Sequence, residues 1–355
     1  MFKTLRDALK IKEIRTRIFY TFVMLVIFRI GCLLPVPGVK TSELDALFTS
    51  IFNDETAYKI FMDIKFTITG GSYTNMSIFA LNISPYITSS IIMQLLTIAI
   101  PKLEEMQKDG EEGKKKIAEI SRYLTIGLAV IQSGATAIGF GSKLFENYNF
   151  FSVLIVILSM TAGSALVMWI GERITENGIG NGISMVLLVN ILSTIPTDFI
   201  TLYKRFIEGK HIIIGIVSAV IIIAILLALI VYVIMLQDAE RRIPVQYAKK
   251  VVGRKMYGGQ SSTLPLKVNM TGVMPIIFAN SIVTIPSTIA MFVRPKEGSF
   301  WAGFFGLFES DSILYVILTF VLLIAFAYFY ISISFNPIEV ANNLKKNGGF
   351  IPGFR

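Results

Sequence analysis

The chain has 355 residues, 54% of them hydrophobic and only 16% charged, with 33 Lys and Arg against 24 Asp and Glu and a formal net charge of +9. Soluble proteins carry about 25% charged residues, and a soluble fold of this size has too little interior for so much apolar surface, so the composition excludes an ordinary soluble protein and points to a polytopic membrane protein. A single Cys (Cys32) and a single His (His211) exclude an internal disulfide, a cysteine-built metal site and a histidine cluster. There is no Ser-His-Asp elbow, no Walker loop and no glycine-rich dinucleotide fingerprint. An enzyme is therefore not expected, and neither is a cofactor or a metal.

The first 17 residues carry Lys3, Arg6, Lys10, Lys12, Arg15 and Arg17, with Leu5 and Leu9 on one helical face. No small-residue cleavage site follows the first apolar run, which ends in Pro35-Val-Pro-Gly38. This predicts an interfacial helix leading into a retained span rather than a cleaved signal. The span itself is Ile18–Pro37. Arg29 is the one charge well inside a span, and it has two readings: it snorkels outward, or it meets a partner in the protein interior. About forty residues follow, ending in Phe66-Thr-Ile-Thr-Gly-Gly-Ser-Tyr-Thr-Asn-Met-Ser-Ile-Phe-Ala-Leu81. Gly70 and Gly71 break any long helix. The stretch is too short to span and too apolar for a plain loop. It is either an element tucked back into the protein or a surface loop packed on the bundle, and composition by itself favours the loop.

Seven more apolar runs long enough to cross a bilayer follow: Ser77–Ile100, Tyr123–Gly141, Phe151–Gly171, Ile183–Leu202, Ile212–Leu236, Thr271–Val293 and Ser312–Ser332. The third span of the eight is rich in Gly, Ser and Thr with Gln132 in its middle, a composition suited to lining an interior. Glu172, Asp198 and Asp238 sit at span ends, so no ionisable side chain is placed to couple a proton or ion at mid-membrane. With both ends inside, the inner segments hold 23 Lys and Arg and the outer segments 9, which is the bias of the positive-inside rule. Loop 237–270 alone carries Arg241, Arg242, Lys249, Lys250, Arg254, Lys255 and Lys267. Within it Ile243-Pro-Val-Gln-Tyr247 reads as an extended stem, and Gly253 and Gly258-Gly259 as turns. Ser84-Pro-Tyr-Ile87 in the second span matches Met274-Pro-Ile-Ile277 in the seventh, each two spans into its half and oppositely oriented. That is the pattern of an inverted repeat with a pathway between the halves. The natural division lies near Lys204–Lys210, giving an N-terminal half 1–203 (spans one to five) and a C-terminal half 204–355 (spans six to eight with loops 237–270 and 333–355).

Several stretches together resemble one family: Phe28-Arg-Ile-Gly-Cys-Leu-Leu-Pro-Val-Pro-Gly38, Gly70 to Leu81, Gly171-Glu-Arg-Ile-Thr-Glu-Asn-Gly-Ile-Gly-Asn-Gly-Ile-Ser184, Gln260-Ser-Ser-Thr-Leu-Pro-Leu-Lys-Val-Asn-Met270 and Phe335-Asn-Pro-Ile-Glu-Val-Ala-Asn-Asn-Leu-Lys-Lys346. By these the chain is similar, over its whole length, to the SecY/Sec61-alpha family, the pore subunits of protein-conducting channels. The resemblance implies an all-α polytopic fold of two pseudo-symmetric inverted halves, with eight of an expected ten transmembrane helices present and the last two lacking. Two local departures stand out: Asn82 where the family usually has Gly, and Phe354 in place of Ile before the loop arginine.

The resemblance also assigns roles. The aliphatic ring at the waist of an hourglass pore falls on Ile83, Ile87, Ile183, Leu187 and Ile277. Branched apolar side chains bind no particular sequence and gate by dewetting. Residues Ile64–Asn75, with Phe66, Ile68, Gly70, Gly71 and Tyr73, become the plug of the resting pore. Gln94, Gln132 and Asn280 are candidates for setting the closing energy of a lateral gate that admits signal sequences and releases hydrophobic spans to membrane lipids. Arg241, Arg242, Lys249, Lys250, Arg254, Lys255 and Arg355 would dock the ribosome, including its RNA, and the SecA motor ATPase. SecE and SecG are the implied partner subunits, and the implied location is the bacterial cytoplasmic membrane with the N-terminus inside. The alternative is a secondary transporter or lipid flippase, against which the uncharged membrane interior and the large basic loops argue.

Overall fold

The computed structural model of the chain describes residues 10–40, 69–73, 75–141, 145, 148–206, 212–247, 250–252, 255–257, 261–293, 300–308, 312–335 and 337–352. The described elements are α1 (Lys12–Leu33), α2 (Ser84–Ala99), α3 (Pro101–Lys108), α4 (Glu111–Phe140), α5 (Phe150–Asn177), α6 (Gly182–Phe206) and α7 (Ile212–Asp238), then strands β1 (Glu240–Tyr247), β2 (Lys250–Val252), β3 (Lys255–Tyr257) and β4 (Ser261–Lys267), then α8 (Met274–Val293), α9 (Phe300–Gly306), α10 (Ile313–Ser334), α11 (Pro337–Lys346) and β5 (Gly349–Phe350).

Each of the eight apolar runs read from the sequence contains a helix over most of its length. Among the described residues five helices are long and apolar enough to cross a membrane by themselves, or six if the pair α2 and α3 counts as one bent span. The bend between them is 107°. Its cause is Pro101, which disfavours the helical conformation at Ile100 and lacks the N–H that continuation would need. Three boundaries differ from the sequence reading. Residues Lys12–Arg17 belong to the same helix as the first span. The helix containing the third span starts at Glu111, well inside the charged segment. The second span becomes helical only at Ser84, with Pro85 in its first turn. Residues 77–83 before it are turns, because Met76 and Asn82 both take positive φ (44° and 52°) and no helix runs through such positions. The helical fold also carries strands, all in the cytoplasm-assigned basic segments.

The chain divides into two compact units. The first is Met1–Phe199 with Ser281–Val316, the second Ile200–Asn280 with Ile317–Arg355. In the first unit α4 packs against α2 and α5, and α1 against α5. Small residues permit the close approaches. A Cβ on Gly163 of α5 would overlap the Ile78 carbonyl, and one on Gly182 would overlap the Gly171 carbonyl. Two apolar clusters fill this unit. One joins Val36, Tyr73, Met76, Leu81, Ala129, Phe145, Val156 and Met160. The other joins Phe28, Cys32, Phe79, Ile83, Val167, Ile170, Ile174 and Val186. In the second unit β1 pairs antiparallel with β4 from Glu240↔Lys267 to Gln246↔Ser261, and with β5 at Gln246↔Phe350 and Tyr247↔Gly349. The apolar windows of α7 and α10 bury nothing in protein, as expected of helices whose solvent is lipid.

Candidate pore, plug and docking surface

The segment between α1 and α2 is held by its own main chain. Within it, Asn75 N–H donates to Gly71 O (3.1 Å), Met76 N–H to Tyr73 O (3.1 Å) and Ser77 N–H to Ser72 O (2.9 Å). It is stitched to the end of α1 by Val36 N–H to Met76 O (3.0 Å) and Ile78 N–H to Leu34 O (2.9 Å). Gly70 and Gly71 supply positive φ (61° and 82°) for the turn. Thr69, Ser72, Tyr73 and Met76 are buried and Asn75 is exposed. The segment therefore lies inside the unit rather than on its surface, against the weight of composition. Its polar backbone is satisfied by protein, as membrane depth requires. Ile64, Phe66 and Ile68 lie outside the described residues.

Arg29 has an interior partner. Its Nη1 donates to Gly70 O at 3.2 Å, so the one charge well inside a span meets the main chain of this segment. Asn82, at the other end of the segment, donates from Nδ2 to Thr69 O at 3.4 Å. Sequence reasoning marked Asn82 only as a departure from Gly and gave it no role.

Four of the five ring candidates come together. Ile83 is fully buried in the second apolar cluster, and Ile87, Ile183 and Leu187 pack against it, half-buried. Behind them the rings of Phe28 and Phe79 stack with centroids 5.8 Å apart. Ile83 is the residue that caps α2, and Ile87 N–H donates to its carbonyl at 3.0 Å, so the two keep the i, i+4 relation on one face. Ile277 lies in the first turn of α8, half-buried, in the second unit. Its neighbour Phe278 stacks on Phe326 at 5.3 Å there.

Of the gate candidates, Gln94 and Asn280 are exposed and Gln132 is half-buried. The small polar residues of α4 face the interior of the unit, with Ser121, Thr125, Ser133 and Thr136 buried. Ser89 Oγ of α2 donates to Ser121 O at 2.6 Å, and Ser133 Oγ and Thr161 Oγ1 of α4 and α5 are 3.2 Å apart. They join neighbouring helices.

In the basic loop, β1 and β4 form the stem, longer than the Ile243–Tyr247 stretch read from sequence. Arg241 and Arg242 on β1 and Lys267 on β4 are exposed. Lys267 stands opposite Glu240 in the register, and Arg242 Nε is 3.9 Å from the Glu240 carboxylate. Lys250 lies on β2 and Lys255 on β3, which pair as a hairpin. Lys249, Arg254 and Arg355 lie outside the described residues. The pairing of β5 with β1 ties the segment after α10 to this stem. Sequence reasoning missed it, since two residues, Gly349 and Phe350, carry no strand signal of their own. Among the described residues no group of three or more His, Cys, Asp or Glu is placed to hold a metal ion.

The SecY family model matches residues 77–355. The protein translocase subunit SecY of Corynebacterium glutamicum is 39% identical over 98% of this chain and 80% of its own length. Among solved structures, a protein-conducting channel matches with a TM-score of 0.62 at 18% identity, over 97% of this chain and 79% of that one. A SecY protein whose plug domain stabilises the closed state of its channel and maintains a membrane seal matches with a TM-score of 0.55 at 16% identity, over 97% of this chain and 79% of that one.

Proposed function

The chain belongs to the SecY family of protein-translocase channel subunits, and we propose that it lines the passive conduit through which secretory polypeptides cross the bacterial cytoplasmic membrane. The observation that carries this reading is the placement of Ile83, Ile87, Ile183 and Leu187 in one uncharged cluster beside a buried re-entrant segment. A branched apolar constriction closes around any sequence and excludes ions by dewetting. Ile277 is the fifth residue assigned to the ring, and the proposed halves are 1–203 and 204–355. Residues 64–75 are the plug, displaced when a chain enters. Gln94, Gln132 and Asn280 tune a lateral gate for signal sequences and membrane-protein insertion. Interhelical hydrogen bonds in membranes average about 0.6 kcal/mol, enough to bias a gate without locking it.

The driving energy comes from outside the chain, from a ribosome or the SecA ATPase, with SecE and SecG as companion subunits. The exposed cations of the stem (Arg241, Arg242 and, by register, Lys267) are placed for phosphate or acidic partners. The chain itself conducts and does not catalyse. The N-terminus and the basic loops face the cytoplasm.

Site-specific photocrosslinking tests the reading. A photoreactive residue at Ile87 or Ile277 should crosslink to a ribosome-stalled secretory chain, and the crosslink should require a signal sequence. Absence of the crosslink at both sites, with proton-coupled uptake of a small solute by the chain in liposomes, would establish the transporter alternative instead.

A further inference from the structure

Three polar side chains, from α1, from α6 and from the turn before α2, converge on the main chain of the re-entrant segment. Arg29 of α1 donates to the Gly70 carbonyl (3.2 Å), and Asn82, just before α2, donates to the adjacent Thr69 carbonyl (3.4 Å). Asn82 is itself held. Its Oδ1 accepts from Ile83 N–H at 2.8 Å, and its carbonyl accepts from Ser164 Oγ at 3.2 Å. At φ 52° the backbone of Asn82 would be served better by glycine, although Asn is among the few side chains that tolerate it. What glycine cannot supply is the amide that grips Thr69.

The third side chain acts in the opposite sense. Asn190 of α6 faces the same turn: a Cβ on Gly70 would lie 3.0 Å from its Oδ1 and 2.8 Å from Ser193 Oγ. Asn190 is fully buried, yet neither Oδ1 nor Nδ2 has a hydrogen-bond partner among the described residues. A buried amide without partners destabilises the arrangement that buries it. Withdrawal of the segment would open Asn190 to the water of the pore and relieve that cost.

We propose that Arg29 and Asn82 are a latch on the plug's main chain, that Asn190 is its counterweight, and that the balance sets the resting closure of the channel. The inference rests on the plug reading above. It makes substitutions at positions in contact with one turn act with opposite signs.

The reporter exploits Cys32, the only cysteine, which lies beside Ser72. Exchanging the pair, Cys32→Ser with Ser72→Cys, moves the thiol onto the segment at a fully buried position. A membrane-impermeant maleimide is applied to intact cells carrying the channel, with and without a signal-bearing precursor that stalls in it. In this background, labelling should be low at rest and rise with the precursor. Adding Asn82→Gly, which suits the backbone and removes the grip on Thr69 together with the local bond to Ile83 N–H, should raise resting labelling about fivefold, the effect of one net hydrogen bond to the segment. Arg29→Gln should raise it too. Asn190→Leu, with the same side-chain branching and no polar atoms, should lower resting labelling by a similar factor. Chain levels in the membrane check that each variant folds. No precursor-dependent rise in the background would overturn the plug reading itself. A rise there, with resting labelling unmoved by Asn82→Gly and Arg29→Gln, would overturn the latch. A shift of Asn190→Leu in the same direction as Asn82→Gly would overturn the counterweight.

Discussion

Gly163 and Gly127 separate what a glycine does for packing from what it does for the chain. Gly163 lies where α5 presses on the Ile78 carbonyl, so an added Cβ has no room; around Gly127 of α4 the space is open. Gly163→Ala must shift backbone, at a cost on the order of 1–3 kcal/mol. Gly127→Ala should be neutral or stabilising by about 0.5–1 kcal/mol, since it only restricts the helix interior. Thermal unfolding of the detergent-solubilised protein checks the pair: Gly163→Ala should lower the midpoint and Gly127→Ala should not. Thr21 gives a second case. Its hydroxyl donates to Arg17 O (2.9 Å) and accepts from Ile179 N–H (3.1 Å), tying α1 to the turn after α5. Thr21→Val leaves that N–H without its acceptor and should cost about 1 kcal/mol in the same assay. At this scale the sequence was legible in kind but not in partner. Arg29 could be singled out as an intramembrane charge, yet nothing near it in sequence names a carbonyl 41 residues away. Asn190 stood unremarked in an apolar run, because a lone Asn in a span carries no sign of which way it faces.

Elements carry the proposed pore and docking stem. Ile87 and Leu187, half-buried candidates for the ring, sit on α2 and α6. Replacing both with Ser wets the constriction. Ion conductance of reconstituted resting channels should rise several-fold, and an unchanged conductance would remove these residues from the seal. The stem presents Arg241, Arg242 and Lys267 in paired strands. If each meets one phosphate, ribosome affinity should fall about 40-fold over about a fourfold rise in salt. Arg241→Glu with Arg242→Glu should lower the slope of log affinity against log salt by about two. The helices were readable because lipid demands long apolar runs. Their boundaries were less so. Residues 77–83 carry five apolar side chains in seven and read as part of the span, and the positive φ at Met76 and Asn82 breaks them. The β1–β5 pairing joins segments about a hundred residues apart, a non-local choice that no local pattern encodes.

For the whole molecule, the charge bias is the feature that composition alone carries furthest. The segments read as inner hold 23 Lys and Arg and those read as outer 9, and this excess predicts a sidedness that packing within either unit does not express. Among the described residues five helices are long and apolar enough to cross a membrane, six with the bent pair. The remaining apolar runs depend on context: α4 is amphipathic and extends far into the charged segment, and α8 contains Pro286. A topology test decides whether they cross. With Cys32→Ser as background, single cysteines go at Asn149 and Phe300, expected outside from the charge bias, and at Glu112 and Thr263, expected inside; all four positions are exposed. In intact cells an impermeant maleimide should label Asn149→Cys and Phe300→Cys only, and permeabilised cells should label all four. The four positions bracket different numbers of spans, so a failure is informative. Labelling of Glu112→Cys in intact cells would mean that one of the first two runs does not cross, whereas labelling of Thr263→Cys with loss of label at Phe300→Cys, Asn149→Cys still labelling, would place the error among spans four to six. A complete inversion would leave every helix in place and turn the basic stem away from the ribosome, which would remove the physical basis for the docking role.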